Sequence, residues 1–229
     1  MRKTMSLAML AGAATFASAG AANAEVTANV ALTTDYVFRG VSQTDNGAAI
    51  QGGFDWTGDL FYAGVWGSNV NFGAVGPTET VSMELDAYVG IRPTTGPVSW
   101  DLGLIGYFYP NGDDSVVGGE MDYFEGIVGA EIDLFDPFTL GGQLAYSPEN
   151  FGETGDSLYI EINGKYAFND AFNVSAAYGN QDVDDTGDYT TWNVGAAFAM
   201  HGFTFDLRYH DTDIDDLDEI VNFTVSREL

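Results

Sequence analysis

Cysteine is absent from the 229-residue chain, and bases are scarce: 7 Lys and Arg stand against 34 Asp and Glu, a formal net charge of −27. Without cysteine there is no disulfide framework, no thiol nucleophile and no Cys-ligated metal or iron–sulfur centre. So few bases argue against nucleic acid and anionic lipid headgroups as partners, because a phosphate-binding surface must carry positive charge. No run of 18 apolar residues occurs, which excludes a helical membrane span. Histidine is limited to His201 and His210, and no Ser-His-Asp spacing, HExxH motif or Gly-rich phosphate loop accompanies them. The chain therefore reads as a non-enzyme without a cofactor. Disorder fits poorly, because aromatics reach 14% and hydrophobic residues 45%.

The first 24 residues read as an export signal. Arg2 and Lys3 precede a weakly apolar stretch from Leu7 to Ala17, and Ala22-Asn23-Ala24 closes it as an A-x-A cleavage site. Cleavage after Ala24 would remove two bases and take the net charge from −27 to −29. The expected division is residues 1–24 as signal peptide and residues 25–229 as one folded domain.

From Glu25 onward the hydrophobic period is two, not 3.6. Val26, Ala28, Val30, Leu32, Thr34, Tyr36 and Phe38 fall on one face; Thr27, Asn29, Ala31, Thr33, Asp35 and Arg39 fall on the other. Val81 to Ile91 and Leu158 to Phe168 repeat the pattern, and successive side chains of a strand face opposite sides. Twelve such segments are predicted, near 26–39, 48–57, 60–68, 80–92, 98–109, 121–133, 138–146, 157–168, 172–180, 189–199, 203–210 and 219–229. Short turns alternate with long polar loops at 40–47, 69–79, 110–120, 147–156, 181–188 and 211–218. An even strand count with this asymmetry predicts an all-β, membrane-spanning, antiparallel up-and-down barrel with long extracellular loops and short periplasmic turns. A ten-residue strand tilted by about 45° spans about 23 Å, close to the apolar band of such barrels.

Aromatics also sort by height. Tyr36, Phe38, Phe108, Phe124, Tyr146, Tyr178, Trp192 and Tyr209 fall at the long-loop ends of their strands. Phe54, Trp56, Trp100, Phe138, Phe168, Phe172, Phe198 and Phe203 fall at the short-turn ends. Two rings flanking an aliphatic belt match interfacial girdles, with outer-membrane lipid as the partner of the outer face. A soluble sandwich shares the alternation but has no reason to place aromatics this way.

Asp35-Tyr36-Val37-Phe38-Arg39-Gly40-Val41-Ser42-Gln43 resembles the opening motif of the TorF family of porins, also called the Gcw_chp family. Ile50 to Asp55, Tyr62 to Val70, Glu84-Leu85-Asp86, Gly106 to Pro110 and Tyr123-Phe124-Glu125 follow in order and carry the same resemblance. It implies an outer-membrane β-barrel with a porin-like role. It brings no catalytic or binding residues with it.

If the aromatic faces meet lipid, the polar faces line a lumen. The expected lining is Asp35, Asp55, Glu84, Asp86, Asp101, Glu125, Glu131, Glu161 and Asp206 with Arg39, Arg92, Lys165 and Arg208. Nine acids against four bases favour cations, as carboxylate rings do in cation channels. The expectation is passive passage of small polar solutes or cations. The alternative is a non-conducting structural or surface-interaction barrel, its lumen filled by ion pairs and by Tyr62, Trp66, Tyr88, Tyr107 and Tyr109. A barrel hydrolase built on His210 is a third reading. Arg39 and Arg208 are expected to face Glu84, Asp86, Glu125 and Glu161 across the lumen as a transverse field, or else to pair locally with Asp35 and Asp206. Asp211-x-Asp213-x-Asp215 hints at calcium, but Asp216 and Asn222 stand where an EF-hand needs Gly and Glu. Weak divalent-cation binding at the acidic loops is the alternative to a solvated surface, and no metal site is assigned.

Overall fold

The computed structural model describes residues 24–72, 81–110, 112 and 119–229, with two short paired strands, Leu7–Ala8 and Thr15–Phe16. Apart from these and Ala24, the expected signal segment lies outside the described residues. So do most of the predicted loop 69–79 and of the predicted loop 110–120.

Twelve strands form the wall: β1 Glu25–Thr33, β2 Ala49–Thr57, β3 Phe61–Asn69, β4 Met83–Ile91, β5 Val98–Phe108, β6 Tyr123–Phe135, β7 Phe138–Ser147, β8 Ser157–Ala167, β9 Phe172–Val183, β10 Gly187–Met200, β11 Phe203–Thr212 and β12 Ile220–Glu228. Each pairs antiparallel with its neighbours in sequence, and β12 pairs with β1, from Thr224↔Thr33 to Glu228↔Asn29. The sheet is thus a closed up-and-down barrel. Closure leaves no edge strand with unpaired backbone, which a sheet in lipid cannot tolerate. No helix long and apolar enough to cross a membrane occurs among the described residues.

The burial pattern is inside-out. Val26 is 70% exposed, Phe54 64% and Leu104 61%, whereas Glu125 is 1% exposed and Glu84 and Arg208 2%. Apolar residues cover the outside, the arrangement expected of a wall that faces hydrocarbon, and the polar period-two partners face in. Paired aromatics sit on the outer face at both ends, Trp192 with Tyr209 at the long-loop end and Phe168 with Phe172 at the short-turn end. Tight hairpins close the short-turn end. His201 and Gly202 both take positive φ, 53° and 80°, the backbone a two-residue turn needs to match strand twist.

Two features differ from the sequence expectation. The loop predicted at 181–188 is only three residues, because the ladder continues past the predicted ends through Gln181↔Tyr189 to Val183↔Gly187. More consequentially, the first predicted strand, 26–39, stops at Thr33. Residues beyond it leave the wall and fold into the lumen as a small hairpin, Val37–Phe38 paired with Val41–Ser42. Arg39 (φ 47°) and Gly40 (φ 84°) make its tip. At its base, Ser42 Oγ and Thr44 Oγ1 donate to Asp35 Oδ1 at 2.7 and 2.8 Å, and Gln43 N donates to Tyr36 O at 2.6 Å. Tyr36 and Phe38 therefore belong to no girdle. Period two continues through them, but the surface their apolar side meets is the interior of the barrel.

The hairpin packs into an apolar cluster in the long-loop half of the lumen. Tyr36 meets Trp66 edge-on at 5.5 Å, and Phe38 meets Tyr107 at 5.9 Å. Tyr107 stacks on Tyr123 at 4.5 Å. Val70, Val81, Tyr109 and Met121 complete the cluster, with Phe72 and Phe151 against its rim.

Candidate functional site in the barrel lumen

All thirteen residues expected to line the lumen are buried or half-buried. Chain direction sorts them into two tiers. Near the long-loop end lie Glu84 and Asp86 on β4, Glu125 on β6 and Glu161 on β8, joined by Asp35 and Arg39 from the hairpin segment. Toward the short-turn end lie Asp55 on β2, Arg92 just beyond β4, Asp101 on β5, Glu131 on β6, Lys165 on β8 and Asp206 on β11; Arg208 sits between the tiers. The upper tier is closed over by the hairpin; in the lower tier only Asp101 is fully buried.

Tyrosine hydroxyls support the carboxylates of both tiers. Tyr36 and Tyr109 donate to Glu84 at 2.7 and 3.0 Å, and Tyr107 donates to Glu125 at 3.0 Å. Tyr159 donates to Glu161 at 2.7 Å, Tyr62 to Asp101 at 2.6 Å and Tyr88 to Asp55 at 2.6 Å. A hydroxyl that donates to a carboxylate satisfies an acceptor without cancelling its charge. The hydroxyls thus hold the acids in place without adding a counter-charge. The sequence expectation took Tyr62, Tyr88, Tyr107 and Tyr109 as filler of a non-conducting lumen and Tyr36 as a girdle aromatic. The signal was present: Tyr159-x-Glu161 and Asp86-x-Tyr88 put each pair on one face, although Tyr88 reaches to Asp55 rather than to Asp86.

The two central arginines are held differently. Arg208 pairs with Asp206 at 3.1 Å, as one sequence expectation has it, and donates to Asn193 at 2.6 Å and Ser175 at 2.9 Å. Arg39 is not on the wall and does not pair with Asp35. The hairpin carries it across the lumen, where it donates to both oxygens of Glu125 at 2.8 Å and to Gln181 at 2.8 Å. Its guanidinium lies 4.3 Å from the Tyr159 ring centroid and 4.7 Å from that of Phe38. The expected opposition of Arg39 to the acidic wall is overturned: the loop delivers the cation into that wall. Arg92 stays local, bonded to Asp101 at 3.2 Å and lying 4.0 Å from the Tyr62 ring centroid.

Beside the hairpin, on the β8 to β11 side, a cavity of about 10 Å³ is lined by Val37, Arg39, Gly40, Tyr159, Glu161, Asn193 and His210, among others. That is room for about one water. His210 contacts Asn222 at 3.3 Å. Among the described residues, no group of three or more His, Asp or Glu side chains is placed to hold a metal ion. Outside the spanning strands, Asp213 accepts Thr190 N at 2.6 Å and Thr190 Oγ1 at 2.8 Å, which holds its carboxyl below the ordinary value of 3.8. Asp184 goes the other way, raised by a side-chain hydrogen bond to Asp156 and by that residue's charge.

A closed twelve-stranded barrel with an apolar outside and a carboxylate-rich lumen has the fold of the outer-membrane porins. The KdgM porin is similar to this chain at a TM-score of 0.61 and 7% identity, covering 88% of this chain and 97% of its own. The KdgM porin in complex with disordered oligogalacturonate aligns at a TM-score of 0.59, with 7% identity over 89% and 98%. The NanC porin aligns at 0.56, with 10% identity over 88% and 98%. At these identities the likeness is one of fold. Residues 17–227 match the family described as "Bacterial protein of unknown function (Gcw_chp)", and the chain belongs to that family. No curated protein sequence matches it.

Proposed function

We propose that the barrel, exported by its N-terminal segment, resides in the bacterial outer membrane and lets small polar solutes diffuse through its lumen, with a preference for cations. The observation that carries this reading is the charge of the interior. Nine inward acids stand against four bases; Asp55, Glu84 and Glu161 are held by tyrosine hydroxyls without a cation, while Asp101, Glu125 and Asp206 pair with arginines. In a low-dielectric tube, an excess of fixed carboxylates raises the local concentration of cations and repels anions. The same argument disfavours a polyanion such as the oligogalacturonate bound to KdgM. The lower tier, half-exposed and lined by Asp55, Arg92, Glu131, Lys165 and Asp206, is the solvated vestibule in this reading.

The hairpin favours a second reading. Because Tyr36, Phe38 and Arg39 fill the long-loop half of the lumen, the barrel would be non-conducting and serve as a structural or surface-interaction protein. Planar-bilayer recording separates the two. Refolded protein lacking residues 1–24, its folded state checked by heat-modifiable gel migration, is expected to give discrete steps with a cation-side reversal potential under a KCl gradient. An anion-side reversal would overturn the preference. Folded barrel without steps, in wild type and in Arg39→Gln alike, would leave the second reading.

A further inference from the structure

We infer that the Glu84–Asp86–Glu125 cluster is a receptor for the guanidinium or primary-ammonium group of a solute, and that the chain's own Arg39 occupies it in the resting state. The inference rests on the channel reading and deepens it by naming the solute class.

Four observations point the same way. First, Arg39 comes from a segment that is not part of the wall. The hairpin is tied to itself by the bonds of Ser42 and Thr44 to Asp35; its tip reaches Glu125, and Tyr36 at its base donates to Glu84. Second, the contact is the one a free guanidinium would make: two parallel N–H···O bonds to one carboxylate, with the ring of Tyr159 against the cation. Third, the fit is incomplete on both sides. Asp86, 6% exposed, has a buried Oδ1 with no hydrogen-bond partner, and Arg39 Nε has none either. Of the three carboxyls only Glu125 holds the guanidinium; Glu84 is taken by Tyr36 and Tyr109, and Asp86 Oδ1 is the acceptor the occupant leaves unused. Fourth, the cluster is not among any groups placed to hold a metal ion in the described residues. Its acceptors and aromatic faces instead suit a flat or compact nitrogen cation bearing N–H donors.

A solute cation entering this cluster competes with Arg39 for Glu125. Displacing Arg39 releases the hairpin tip from β6 and β9 and opens the long-loop half of the lumen. The solute that fits the cluster is thus also the one that frees its own path.

Methylguanidinium is the probe, and tetramethylammonium, a cation without N–H donors, is the control at equal ionic strength. In bilayers, methylguanidinium is expected to raise wild-type conductance several-fold while tetramethylammonium leaves it unchanged. Arg39→Gln is expected to conduct well from the outset and to be blocked by methylguanidinium, and Arg39→Gln with Glu125→Gln is expected to lose the block. Equal action of the two cations on both wild type and Arg39→Gln overturns the proposal. If Arg39→Gln does not fold, Arg39→Lys keeps the charge but loses the fork. The methylguanidinium concentration for half-maximal opening must then fall several-fold, and an unchanged value overturns the proposal. If no form conducts, the channel reading fails separately. The cluster is then read by tyrosine fluorescence of wild type in detergent: a saturable change with methylguanidinium, absent with tetramethylammonium and lost in Glu125→Gln, supports it, and no such change overturns it.

Discussion

Arg39 and Arg208 are both buried in the lumen and both ion-paired, yet they represent two ways of placing a cation inside a barrel. Arg208 lies on β11 and draws its partners from its own strand, the adjacent strand and the one beyond it: Asp206 two residues away, Asn193 on β10 and Ser175 on β9. Arg39 lies on a loop and reaches Glu125, 86 positions along the chain, and Gln181, 142 positions along. The Asp206 side chain keeps 19% of its exposure while that of Glu125 keeps none. The wall arginine is a local brace beside solvent. The loop arginine is a long-range tie whose partner depends on it.

That contrast predicts unequal costs. The largest effect is expected from Glu125→Gln. It leaves the Arg39 guanidinium buried against a neutral amide, and breaking a buried pair from one side costs about 3–5 kcal/mol. Urea unfolding of the refolded barrel, followed by tyrosine fluorescence, measures it. A loss no larger than that of Arg208→Gln would erase the distinction between tie and brace. Gly40→Ala ranks next. The φ of 84° disfavours any Cβ by about 1–2 kcal/mol, and this Cβ would overlap the side chains of Thr191 and Thr212. The hairpin tip must then move, so conductance is expected to rise together with the loss of stability. Gly195→Ala is its counterpart at the brace. Its Cβ would sit 2.6 Å from Arg208 Cζ, at the end of a flexible side chain that can shift, so a smaller stability loss without a rise in conductance is expected.

Arg208→Gln follows, at about 1–3 kcal/mol, because it removes several charge-assisted hydrogen bonds yet leaves Asp206 able to reach water. Its reversal potential is expected to shift toward cations, since the carboxylate of Asp206 loses its counter-charge. The smallest effect belongs to Asp213. Its carboxyl is held below the ordinary value of 3.8 by Thr190, so the folded state favours the charged form. The stabilisation is present above about pH 4 and lost as pH falls through the depressed value. Asp213→Asn should flatten that part of the acid-unfolding curve and leave stability at pH 7 nearly unchanged, because the group is exposed.

Much of this was readable from residue order. The twelve strands, the inward and outward faces of Val26 to Thr33 and of Met83 to Ile91, and the pairing of Arg208 with Asp206 all follow from spacing by two. That the charged residues on the strands point away from the outer face was also readable, because a charge on the lipid side of such a wall would be costly. The fate of residues 34–48 was not. Tyr36 and Phe38 continue the alternation of β1, and an apolar face looks the same in sequence whether it meets hydrocarbon or a cluster of tyrosines. The ends of β9 and β10 were misjudged for a related reason: Asp182, Asp184, Asp185 and Asp188 read as a loop, but polar residues can continue a ladder above the apolar band.

By itself, the sequence determined the twelve strands, the apolar outer and polar inner faces of the wall, and the excess of acids over bases on the inner one. Those depend only on the two-residue repeat of an extended chain and on residue counts. Only the tertiary structure decided that the first loop turns inward, that Arg39 answers to Glu125 and that tyrosine hydroxyls support the lumen carboxylates. Closing the sheet brings β1, β4, β6 and β9 around one axis. Contacts across that axis join residues whose separation along the chain carries no period to read.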